Sequence, residues 1–270
     1  MRPVGDISWR MAAIYCNWLC NDKSTDRSAF MNGAYDVSTF GFETGVPNIR
    51  FTDQQAHTPG ARYWIPTFDE LFKASHYDPD GNGPGQPRWW EYNNSSDTPP
   101  VYGPPGVLVN GVPSEANAGW DNRDYPGLSQ YTVPLGAYPN VQSPWGLLDV
   151  AGGTTEWTET VTVSSTGQRY RVYDGSFWGQ DPLQAQIDDD TSTGGEEFPH
   201  VPTLEFGLRI ASSIPAPGTS AAGLIAFSLV GVRRRDRESG ALAERPGTRH
   251  AIATQPAEAL QLRVLSPEDR

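Results

Sequence analysis

Cysteine is almost absent: the 270-residue chain has two, Cys16 and Cys20. Two thiols exclude a disulfide scaffold and a four-thiolate zinc centre. Histidine is scarce too. His57, His76, His200 and His250 are scattered, with neither HxxxH nor HExxH spacing, so no transition-metal site is expected from them. Before Arg233 the only lysines are Lys23 and Lys73, and up to Val232 there are 12 basic against 26 acidic residues, a net of −14. Such a surface repels phosphate backbones, which excludes general nucleic-acid binding. Gly81-Asn-Gly-Pro-Gly85 lacks the Lys and Ser/Thr of a phosphate loop, and no Gly-x-Ser-x-Gly nucleophile elbow occurs. Carboxylates are too numerous for their sequence positions to single out a glycosidase-like pair.

Gly and Pro are plentiful, with 28 and 24 copies, and predict a loop-rich chain whose turns these residues fix. Nine Trp and eleven Tyr argue for a packed domain rather than a disordered chain. The spacing of Trp9, Ala12, Ala13, Cys16, Leu19 and Cys20 predicts a first helix, capped by Asp6 or Ser8. At i, i+4 the two cysteines share a face of that helix, as buried apolar residues or as a redox pair, the former favoured. Thr67 followed by Glu70 predicts a capping box opening a second helix. Gly146, Gly152 and Gly153, set among apolar residues, predict positions of positive φ or close backbone approach. Trp9, Trp18, Trp64, Trp145, Trp157 and Trp178 are expected to supply packing area.

Four segments in order carry a resemblance. They are Ile7-Ser-Trp-Arg-Met-Ala-Ala-Ile-Tyr-Cys-Asn-Trp-Leu19; Tyr63-Trp-Ile-Pro-Thr-Phe-Asp-Glu-Leu-Phe-Lys-Ala-Ser75; Val133-Pro-Leu-Gly-Ala-Tyr-Pro-Asn140 with Pro144-Trp-Gly-Leu-Leu-Asp-Val-Ala-Gly-Gly-Thr-Thr-Glu-Trp157; and Gly175-Ser-Phe-Trp178 with Phe206-Gly-Leu-Arg-Ile-Ala211. Together they resemble the formylglycine-generating-enzyme, or sulfatase-modifying-factor, family over residues 7 to 211. The resemblance implies an α+β, irregular, coil-rich, C-type-lectin-like fold over 1–213. No signal peptide is visible and the chain enters its first helix within a few residues, so N-terminal truncation is expected, with Met1 an internal start or a fragment boundary and roughly the first quarter of such a domain missing.

In the enzymes of that family, two cysteines after the Gly-Gly-Ser motif bind copper and oxidise a substrate cysteine to formylglycine. Here the corresponding positions are Gly179 and Gln184, neither of which can supply a soft thiolate for Cu(I). Copper is therefore not expected. Structural calcium is the cofactor the resemblance implies, with Asn117 at a first site and Glu156 plus backbone carbonyls at a second, where Gly153 replaces the family's Asn. Separately, Asp78-Pro-Asp-Gly-Asn-Gly83 copies the first six positions of an EF-hand loop, which makes Asp78, Asp80 and Asn82 candidate ligands; position twelve is Trp89, so an Asp/Gly turn is the favoured reading. The acidic run Asp188 to Asp190 with Glu196 and Glu197 reads as a solvated loop. Trp89, Trp90, Tyr92, Tyr102 and Trp120 suit stacking on a glycan or contact with a peptide, or else core packing.

After Ile214-Pro-Ala-Pro217 comes a weakly polar stretch, Gly218 to Val232, then Arg233, Arg234, Arg235 and Arg237. Its 15 residues would span about 22 Å as helix, short of a bilayer core. Residues 214–237 resemble a PEP-CTERM sorting signal, which implies export, membrane arrest through 218–232 and processing by an exosortase. Residues 238–270 lack apolar periodicity and are expected to be disordered. The sequence thus predicts a non-catalytic binding or structural module held at the cell envelope, its main domain extracytoplasmic. The alternative is a formylglycine-generating oxidoreductase acting on sulfatase cysteines.

Overall fold

The computed structural model describes residues 2, 4–45, 48–177, 179 and 195–213, with backbone alone at 195 and 196. The sorting-signal stretch, the acidic run at 188–190, Trp178 and Gln184 lie outside the described residues. The chain opens with helix α1 (Trp9–Cys20), for which Ser8 is the cap: its hydroxyl accepts a hydrogen bond from the Met11 N–H at 3.2 Å. Trp9, Ala12, Ala13 and Cys16 face inward as their spacing requires, joined by Asn17, which the apolar periodicity does not flag. Asn17 is kept buried by its partners. Its Nδ2 donates to the Tyr35 and Phe30 carbonyls, and its Oδ1 accepts from the Tyr35 N–H. A short helix α2 (Ser28–Met31) follows.

Strand β1 (Tyr63–Trp64) leads into α3 (Phe68–His76), which begins with the expected capping box: Thr67 Oγ1 accepts from Glu70 N–H, and Glu70 Oε2 accepts from Thr67 N–H. The small hairpins β2 (Tyr77–Asp78) with β3 (Arg88–Trp89) and β4 (Leu108–Val109) with β5 (Val112–Pro113) then interrupt long coil. The largest sheet collects β6 (Thr155–Val163), β7 (Arg169–Asp174), β8 (Gly195–Glu197) and β9 (Phe206–Gly207) in the order β8-β7-β6-β9. Its β6–β7 ladder is antiparallel and slips between Trp157 and Val161, whereas β9 runs parallel to β6. Strand β10 (Ala211–Ser212) returns to pair antiparallel with β1, and Ile7 bridges Thr203.

Two tryptophans lock α1 to β6. Trp9 donates its indole N–H to the Thr158 carbonyl at 3.0 Å, and Trp157 donates to the Ile7 carbonyl at 2.9 Å. Both rings are fully buried, and truncating either would cost about 3–5 kcal/mol. The Arg171 guanidinium lies 3.6 Å from the Trp9 ring centre and is fully buried. Its terminal nitrogens donate to carbonyls, Nη1 to Gln55 O at 2.9 Å and to Glu159 O, Nη2 to Gln54 O at 2.6 Å, while Nε finds no partner among the described residues. Cys16 packs into the same core, where burial pushes its thiol well above the usual range. Cys20 is half-buried and donates to the Tyr63 carbonyl, so the two thiols are packed rather than paired. Trp145, expected to pack, is instead 54% exposed. Among the described residues no helix is long and apolar enough to cross a membrane.

Candidate functional site

The segment Pro144 to Trp157 positions the site, and its glycines explain how. Gly152 (φ +74°) forms a bridge with Asn117, where an added Cβ would sit 2.5 Å from the Asn117 carbonyl oxygen. The next amide, Gly153 N–H, donates to that same carbonyl at 2.9 Å, and Gly152 N–H donates to the Ser176 hydroxyl at 2.8 Å. The third and fourth recognisable segments and the strand-like stretch at Asn117 are thus stitched together at one glycine pair. Asp149 takes a left-handed backbone (φ +54°) and accepts from Gly136 N–H at 2.7 Å, fixing the loop that carries Leu147 and Leu148.

Beside this pair runs a groove of about 1140 Å³. Met11 and Tyr15 of α1, Leu71 and Ala74 of α3, the loop residues Leu135, Leu147 and Leu148, and Leu208 with Ile210 line it. Its charged floor is Glu156 with Arg209, whose Nε donates to Glu156 Oε1 at 3.2 Å while Nη2 donates to the Asp149 carbonyl. Burial raises the Glu156 carboxyl to about 8; the Arg209 charge opposes this, and Asp174 and Asp149 reinforce it. Along the same wall the N–H groups of Leu208, Arg209 and Ile210 make no backbone hydrogen bond among the described residues. Amides left outside a backbone ladder beside an apolar groove are the kind of group with which an added strand pairs.

The predicted calcium ligands divide into two groups. Asn117 lies against Gly152 of the glycine pair, and Glu156 follows four residues after Gly152 on β6. Asn117 is buried and donates through Nδ2 to the Gln130 carbonyl at 2.9 Å, yet its Oδ1 has no partner among the described residues. The Oε1 of Gln130, also buried, has none among them either. Two buried amide oxygens without donors on adjoining residues fit a hard cation, which takes oxygen ligands. Glu156 fits less well at the loop carbonyls, since its carboxylate is turned to Arg209. Asp78, Asp80 and Asn82 lie on the β2–β3 hairpin instead, and their side chains hold the turn. Asp78 accepts from Asp80 N–H and from the Trp90 indole, Asp80 from Gly85 N–H, and Asn82 donates to the Pro87 carbonyl. Among the described residues no three His, Cys, Asp or Glu side chains converge to hold a metal.

The aromatic residues divide as well. Tyr92 and Trp120 are buried, and Tyr102 is half-buried. Trp89 is 46% exposed, beside Phe72 and Tyr77, and Trp90 sits under the Arg88 guanidinium at 3.7 Å. Sequence reasoning missed the pair His57 and Glu159. His57 Nδ1 lies 2.9 Å from Glu159 Oε2, and its ring stacks 4.7 Å from that of Trp64. The two residues are 102 positions apart in no motif, so only the fold brings them together.

Compared with known proteins, residues 1–214 match the sulfatase-modifying factor enzyme 1-like domain. No curated protein matches the chain. Solved structures similar to it include CarF, with 19% identity, a TM-score of 0.48 and coverage of 79% of this chain and 69% of that one. Variable protein 1 of Treponema denticola is also similar, with 16% identity, a TM-score of 0.44 and coverage of 79% and 72%.

Proposed function

We propose that this chain, which belongs to the sulfatase-modifying factor family over residues 1–214, is a non-catalytic binding module of the cell envelope whose ligand is an extended peptide held in the α1–α3 groove. The observation that carries the reading is the groove itself: apolar walls, Glu156 with Arg209 at its floor, and a row of amides at Leu208–Ile210 that make no backbone hydrogen bond among the described residues. The absence of thiols at Gly179 and Gln184 supports the non-catalytic part. A peptide strand would bond its backbone to those amides and bury alternate apolar side chains against Leu135 and Leu148. Structural calcium bound through Asn117 and Gln130 would rigidify the loop behind the glycine pair. Export, membrane attachment through 218–232 and exosortase-type processing complete the proposal and rest on the C-terminal sequence pattern.

A glycan reading is favoured by one feature, the exposed Trp89 ring. Fluorescence anisotropy of labelled extended apolar peptides, alongside a glycan array, separates the two. The expected result is peptide binding that is lost in Leu135→Asp, a substitution at a 46% exposed groove residue. Glycan binding lost in Trp89→Ala, with no peptide bound, would overturn the groove assignment.

A further inference from the structure

From Tyr125 to Leu148 the chain runs 24 residues without an Asp, Glu, Lys, Arg or His, although 19% of all its residues are charged. This stretch is not interior. Leu128, Tyr131, Leu135 and Trp145 are 44–57% exposed, and the exposed polar side chains among them, Thr132, Asn140 and Gln142, are uncharged. Inward-facing residues hold them there. Val133 and Tyr138 pack on Trp120, and Tyr138 Oη donates to the Gly103 carbonyl at 2.8 Å. Tyr131 therefore stands on a one-turn 3-10 segment (Gln130–Thr132) whose neighbours Gln130 and Val133 are buried. Trp145 stands on a tight turn closed by Gly146 N–H on the Ser143 carbonyl at 2.8 Å. The two loops meet at Gly136, whose N–H donates to Asp149 and whose nearest side-chain neighbour is Leu148.

We propose that this charge-free face rests on a zwitterionic lipid surface, with Leu128, Tyr131 and Trp145 at the level of the headgroups. Three arguments select that partner. Trp and Tyr beside Leu are the side chains that favour the boundary between water and lipid tails, because one end of each ring is apolar and the other polar. No charged group on the face has to be dehydrated when it settles there. The area fits as well. Four side chains about half exposed offer roughly 300–500 Å², whereas a stable protein interface takes about 800 Å² from each partner. The headgroup type follows from the rest of the molecule. Up to Val232 the chain carries a net charge of −14, so anionic lipid repels it and zwitterionic lipid does not. The proposal takes the envelope location from the reading above and needs no peptide in the groove, which the face borders at Leu135.

Tryptophan fluorescence of the full chain tests this on phosphatidylcholine vesicles whose acyl chains carry bromine, a contact quencher. The difference between the unsubstituted chain and Trp145→Phe isolates the Trp145 signal, and Trp89→Phe serves as the control for the other exposed indole. The expected result is a Trp145 emission that shifts to the blue and is quenched, with the Trp89 signal unchanged. Both Trp145 effects should be lost in the double variant Leu128→Asp, Tyr131→Asp. Adding phosphatidylglycerol to the vesicles should weaken them at low salt and less so at high salt. A vesicle-bound chain with Trp145 unquenched would overturn the proposal while leaving attachment through 218–232 standing. Absence of vesicle binding would overturn it too, as would self-association that shields Trp145 from acrylamide without lipid, which assigns the face to a second copy. Should the double variant fail to melt cooperatively, the unsubstituted chain and Trp145→Phe decide alone. Peptide anisotropy measured without lipid is independent of all these outcomes, so the groove reading stands or falls separately.

Discussion

The glycine pair gives the sharpest quantitative expectation. Gly152 and Gly153 have nearly the same backbone, φ +74° and +85°, but different surroundings. A methyl group at 152 would lie 2.5 Å from the Asn117 oxygen and 2.6 Å from its carbonyl carbon, both backbone atoms that cannot rotate away. At 153 nothing lies within 4 Å. Placing alanine in the left-handed region costs about 1–2 kcal/mol at either position. The clash at 152 forces a backbone displacement worth a further 1–3 kcal/mol or so. Gly152→Ala should therefore cost about 2–5 kcal/mol and Gly153→Ala about 1–2 kcal/mol. With roughly 2–4 °C lost per kcal/mol in a domain of this size, the gap is visible in a single thermal melt. Gly153→Asn should fall below either, because Asn tolerates positive φ. Equal losses for the two alanine variants would refute the claimed contact with Asn117, and with it the loop geometry on which the site rests.

Other perturbations test separate parts of the account. Thr67→Ala removes the cap of α3 and should lower stability by about 1 kcal/mol in denaturant titration, with Thr67→Ser close to unsubstituted. His57→Ala leaves the buried Glu159 carboxylate without its imidazole partner and should cost about 1–3 kcal/mol, partly recovered by His57→Gln, whose amide can still donate. The Glu156 carboxyl, raised to about 8 in the folded chain from 4.5, binds its proton more tightly when folded. Its contribution is therefore fully present below pH 4.5 and lost as the pH rises through 8. Stability should fall across that window and Glu156→Gln should flatten the slope. His76, lowered by burial, acts in the opposite sense: its contribution is lost as the pH falls below 6.5.

Much of the scaffold was legible because local chemistry and global packing agree in it. Ser8, Thr67 with Glu70, and the inward face of α1 are short-range features, set by residues within one helical turn. The positive φ angles at Gly146, Gly152 and Gly153 were legible from residue type and setting. What could not be read depends on long-range pairing. The register that sets Glu156 against Asp174 includes a slip between Trp157 and Val161, which no periodicity encodes. Asn93 and Arg171 are polar residues made interior by partners far along the chain. The Asp78–Asn82 loop shows the converse: its sequence suits a cation, while both Asp78 oxygens and one of Asp80 accept hydrogen bonds from the turn and from Trp90. Trp145 reads as core by composition and is exposed because Ser143 and Gly146 turn the chain outward there.

The central claim is that the scaffold is kept without the chemistry of the family's copper enzymes. It is tested most directly by incubating the full chain, loaded with Cu(I), with a Cys-x-Pro-x-Arg peptide and following the peptide mass. The account predicts an unchanged mass from a sample that melts cooperatively. Conversion of the cysteine to an aldehyde would contradict it, and would require a copper site other than the one Gly179 and Gln184 replace.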